Sequence, residues 1–139
     1  MSEAISTTRP QTAQGWRRAA LWGVKILVAL AFLAAGVAKL AGVQAMIDIF
    51  NVIGLGQWFR YVTGAIEVIG AILILIPSLA GLGALLLACT MAGAVITHLT
   101  VLPASPIPAL ILFALGAAIA WVHRDQVVNL LPKSHADRS

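Results

Sequence analysis

The stretch YVTGAIEVIGAILILI, residues 61–76, carries a single acidic side chain, Glu67. A carboxylate near the centre of a bilayer costs ~2.5–3.5 kcal/mol on insertion scales, a cost that leucine at the same position would avoid. Such a group is expected to be paired with a cation, to hold a proton, or to do chemistry. Three further titratable residues, Lys39, Arg60 and His98, stand near the ends of apolar runs. A carboxylate and an imidazole beside a fixed cation can exchange protons or hydrogen-bond a ligand oxygen. Glu67 and His98 are therefore the candidate catalytic residues, and Lys39, Arg60, Glu67 and His98 the candidate binding set. Each also has a plain structural reading: Glu67 as an ion-pair partner, His98 as a packed hydrogen-bonded residue, and Lys39 and Arg60 as interfacial anchors.

Other chemistries find no support in the residue types. A membrane haem needs two axial histidines at similar depth, but His98 and His123 belong at opposite ends of their spans and His135 lies in the tail. No set of three plausible metal ligands converges. The single cysteine, Cys89, sits inside an apolar run and has no C-x-x-C partner; it reads as a small buried hydrophobe. Redox work by this chain would therefore use a diffusible quinone or a partner's cofactor as electron carrier.

The composition tells which elements must position these residues. Of 139 residues, 60% are hydrophobic and only 10% charged, and the mean hydropathy is +0.97, as in an integral membrane protein. The net charge of +4 does not form a nucleic-acid patch: Arg9, Arg17 and Arg18 precede the first apolar run, and Arg124, Lys133 and Arg138 follow the last. Four spans are expected, at about 19–41, 58–76, 79–102 and 106–123, each near the ~20 residues that cross ~30 Å of hydrocarbon. The first is longer than a signal-peptide core and reads as a span. The expected fold is an all-α membrane four-helix bundle, flanked by a disordered tail at 1–18 and a tail at 124–139 that is loose after Pro132. Basic residues in both tails and none in the short turns put both termini in the cytoplasm. Trp16, Trp22, Trp58 and Trp121 fall near span ends as an aromatic belt.

Pro77-Ser78 makes the second turn tight, and Pro103 and Pro106 separate the last two spans. In the longest link, 42–57, the residues Gln44, Asp48 and Asn51 recur on one helical face, while Met46, Ile47, Ile49, Phe50 and Ile53 cover the rest. This predicts an amphipathic helix at the outer membrane surface. In this topology Lys39 and Arg60 lie at the outer end. Glu67 is about 13 Å below Trp58, and His98 about 6 Å below Leu102, at 1.5 Å per residue. Phe32, Gly36 and Lys39 share a face of the first span, Arg60, Gly64, Glu67 and Ala71 one of the second, and Met91, Ala94 and His98 one of the third. Lys25, at the inner end, is expected to snorkel to the cytoplasmic face.

Three motifs resemble those of DoxX-like membrane proteins: FLAAGVAKL (32–40), WFRYVTGAIEVIGAILILIP (58–77) and MAGAVITHL (91–99). Together with their spacing they cover roughly residues 20–123. The resemblance points to Lys39, Arg60, Glu67 and His98, and implies a four-span fold. It also implies a small inner-membrane subunit of a quinone-linked oxidoreductase system, at most a quinone-site subunit. Its partners would be the bilayer and a redox protein or further copies of the chain. A proton- or cation-coupled permease and a purely structural assembly subunit remain alternatives.

Overall fold

The computed structural model describes residues 11–130, all of whose regular structure is helical. The order is α1 (Gln11–Ala41), α2 (Gln44–Ile53), α3 (Gln57–Leu75), α4 (Ala80–Thr100), α5 (Ile107–Val122) and α6 (Arg124–Leu130). Three segments are both long and apolar enough to cross a membrane: Gln14–Ala41, Gln57–Leu75 and Ala80–Thr100. Helix α5 is apolar but has 16 residues, about 24 Å at 1.5 Å per residue, shorter than a full span.

Two expected tails are partly helical. Residues 11–18, placed in a disordered segment, continue α1 toward the N-terminus. Residues 124–130, expected as the start of a tail, form α6, which Gln126 fastens back by donating to the Pro77 carbonyl at 2.7 Å and accepting from the Gly81 N–H at 3.0 Å. That tie joins positions far apart in the chain, so no local pattern announces it. The remaining parts of both tails lie outside the described residues.

Helix α1 packs on α3, α3 on α4, and α4 on α5, while α1 touches α5 only lightly. The buried core runs between them through Val28, Phe32, Ala71, Ile74, Leu87 and Ile119. Glycines set the two closest crossings. A Cβ on Gly36 would lie 2.8 Å from the Gly64 carbonyl oxygen, and one on Gly83 2.7 Å from the Ile74 nitrogen. Small residues here let helix backbones meet, as membrane packing favours. Outward, Leu27, Leu30, Ile69, Ile96, Leu99 and Ile111 are exposed. A continuous apolar exterior around buried charges is the arrangement a lipid solvent requires.

Helix α2 is amphipathic in place. Gln44, Asp48 and Asn51 are exposed, Phe50 is buried, and the Phe50 and Phe59 rings stand 5.9 Å apart. Gly54, at φ +78°, ends the helix with its N–H on the Phe50 carbonyl, a left-handed cap that glycine takes without strain.

Candidate functional site

Glu67 is 2% exposed, and Lys39 Nζ reaches both of its carboxylate oxygens, at 2.7 and 3.0 Å. The geometry follows from the Gly36–Gly64 crossing: with no side chains at the contact, the stem of Lys39 lies against α3 and its ammonium meets Glu67 one turn further on. A Cβ on Gly64 would stand 3.0 Å from Lys39 Cβ. Lys39 keeps 15% side-chain exposure, whereas Glu67 keeps 2%. Two of its three N–H bonds serve Glu67; the third has no partner among the described residues.

Arg60 is 3% exposed but does not touch the carboxylate. Its Nη1 donates to the Lys39 carbonyl, its Nε donates to Gln57 Oε1 at 2.7 Å, and its guanidinium lies 4.3 Å from the Tyr61 ring centre. Carbonyls in the last turn of a helix lack intrahelical donors, so Arg60 caps α1 and steadies the backbone that carries Lys39. Gln57 in turn donates to Asn51 Oδ1 at 2.8 Å and to the Ile47 carbonyl at 3.1 Å, which ties α2 over this end. Thr63 spends its hydroxyl on the carbonyls of Phe59 and Arg60. Gln57 was not among the expected site residues; its position three residues before Arg60 on the same helix was the available signal.

His98 is placed apart. It is half-buried, and its Nδ1 faces the Ala104 carbonyl at 3.3 Å, so that nitrogen carries the proton. No hydrogen bond joins it to Glu67, Lys39 or Arg60 among the described residues. The close α3–α4 contacts, Gly70 with Leu87 and Gly83 with Ile74, lie toward the Pro77 turn, far along α4 from His98.

Lys25 does not snorkel. It is 3% exposed, and its Nζ lies 2.9 Å from His123 Nε2 and 5.1 Å from the Trp22 ring centre. His123 Nδ1 donates to the Ile119 carbonyl at 3.0 Å, which leaves Nε2 to accept from the Lys25 ammonium. The bond joins α1 to the end of α5, the seam that is otherwise lightly packed. The expectation failed because the partner is 98 positions away. Between Lys25 and Lys39, about 21 Å apart along α1, the shared face carries buried Val28, Ala29 and Phe32. The two polar sites are thus separated by a dry stretch. No group of three or more metal-ligating side chains occurs among the described residues.

Apolar helices of membrane length with large exposed apolar side chains define a multi-pass membrane protein. The chain belongs to the DoxX-like family, whose model matches residues 23–123 and so includes every site residue named above. Over 74 residues it is 32% identical to a Bacillus subtilis (strain 168) protein named "Putative oxidoreductase CatD"; the match covers 53% of this chain and 55% of that one. The chain therefore spans about half the length of that relative. No solved structure matches it.

Proposed function

We propose that the chain is a small inner-membrane subunit of a quinone-linked oxidoreductase system, with its polar site at the Lys39–Glu67 pair in the outer half of the bundle. In this reading α5 completes a fourth span with the help of His123 and α6, both termini are cytoplasmic, and α2 lies on the outer surface. Reporter fusions at Ser139 and Gly56 are expected to mark opposite sides of the membrane; the same side for both would overturn the topology.

The observation that carries the functional reading is the asymmetry of the pair. The Lys39 side chain keeps 15% exposure against 2% for Glu67, and its ammonium keeps an N–H that no described residue accepts. A quinone oxygen is an acceptor that this N–H can take, and Glu67 is a proton-exchanging group within 2.7 Å of the same nitrogen. Reduction of a quinone to a quinol takes up two electrons and two protons. The electrons come from a redox partner protein; Lys39 and Glu67 deliver one proton to the oxygen that Lys39 holds, and the second proton reaches the other oxygen from bulk water. Arg60 and Gln57 position Lys39. His98 is a separate proton-exchanging group on α4, fastened to the turn after it. The printed name of the Bacillus subtilis relative supports redox work. Affinity purification in mild detergent is expected to recover a redox protein and a bound quinone; recovery of neither would contradict the reading.

A further inference from the structure

A groove of about 410 Å³ opens on the outside of the bundle between α4, α5 and α6. Small side chains, Ala88 and Ala92 from α4 and Ala117 and Ala120 from α5, line it together with Trp121. Among the residues lining it, Arg124 alone is charged. Arg124 is exposed and sits at the α6 end, its guanidinium 5.2 Å from the Trp121 ring centre and its Nη1 donating to the Trp121 carbonyl at 3.4 Å. The groove thus runs from the middle of the α4 span, at Ala92, to the level where α5 gives way to α6.

We propose that this groove holds one acyl chain of an anionic phospholipid, with the headgroup phosphate on Arg124. The lining excludes a hydrated or polar occupant, because such a ligand would lose its water without gaining partners. The one cation stands where α5 ends, at the depth of a headgroup, and most of its five N–H donors are free for phosphate oxygens. Basic residues at the headgroup end of a cleft between membrane helices are a recurring means of holding anionic lipid. Size argues against a second copy of the chain. One turn of a helix about 10 Å wide and 5.4 Å in pitch fills about 420 Å³, so the groove accepts a single turn, whereas helix association needs several. A flexible hydrocarbon chain fills the same space without a rigid partner.

The test is native mass spectrometry of the full chain in mild detergent, offered phosphatidylglycerol and phosphatidylcholine with matched acyl chains. Wild type is expected to retain phosphatidylglycerol over phosphatidylcholine by about fivefold, the gain that one basic residue draws from net anionic lipid, since both lipids offer a phosphate but the choline cation opposes Arg124. Arg124→Gln is expected to remove the preference. Ala117→Phe, or Ala92→Phe from the opposite wall, is expected to abolish retention of both lipids while the melting temperature stays near wild type. Equal retention of the two lipids by wild type, or a preference unchanged in Arg124→Gln, would overturn the proposal. Cys89, which is exposed in the groove wall, supplies the remaining arm. Efficient Cys89–Cys89 cross-linking in vesicles, with no lipid retained, would assign the groove to a second copy and overturn the lipid reading.

Discussion

Gly36→Ala is expected to lower stability by ~1–3 kcal/mol or more, the range for overpacking a tight contact. The added methyl would stand 2.8 Å from the Gly64 carbonyl oxygen, 2.8 Å from Val68 Cγ2 and 3.2 Å from Glu67 Cβ. A backbone carbonyl cannot swing aside as a side-chain tip can, so α1 and α3 must move apart. That separation also pulls Lys39 away from Glu67, which couples packing to the polar site. Gly93→Ala is the matched control. Its methyl meets nothing within 4 Å, and replacing a mid-helix glycine by alanine gains ~0.5–1 kcal/mol. Melting in detergent should therefore fall for Gly36→Ala and hold or rise for Gly93→Ala. Equal melting temperatures would mean that the helices do not meet as closely as described.

The second large effect belongs to the ion pair itself. Removing one partner of a fully buried pair costs ~3–5 kcal/mol. Glu67→Gln should lose less than that, because Lys39 is 15% exposed and its stem can lean the ammonium toward the α2 end. Lys39→Met should lose more, because it leaves Glu67, 2% exposed, with no other hydrogen-bond donor among the described residues. The double change, Glu67→Gln with Lys39→Met, removes both charges and should recover most of the stability of the worse single. Arg60→Met combined with Glu67→Gln should show no such recovery, since Arg60 caps the Lys39 carbonyl and does not bond the carboxylate. Melting temperatures of the singles and doubles decide this. Additive losses for the Lys39 and Glu67 changes would show that the two groups do not interact.

Helical class, three of the four expected spans and the amphipathic link were legible in the sequence, because hydropathy and a 3.6-residue period are local properties. So was the meeting of Lys39 with Glu67. Gly36 and Gly64 mark the faces that approach, and each charged residue lies one turn beyond its glycine. The extent of Arg60's involvement was misjudged for the same reason. Shared face and similar depth bring a guanidinium near a carboxylate, but they do not reveal that the exposed carbonyl of Lys39 at the end of α1 is a nearer acceptor. His98 shows the limit of depth as an argument. Its place on α4 matches the others in height, yet the glycine contacts that bring α3 and α4 together lie at the far end of α4. Lys25 was read as solvated because its partner His123 lies on another helix, and only the closed arrangement of helices supplies it.

The central claim is that Glu67 works and does not merely pair, and the most direct measurement is quinone reduction by the complex purified in mild detergent. On the proposed function, the chain carrying Glu67→Gln with Lys39→Met should melt close to wild type, retain the proposed redox partner and lose quinone reduction. Wild-type activity in that folded, partner-bound double mutant would contradict the account and leave the pair as a fastening between α1 and α3.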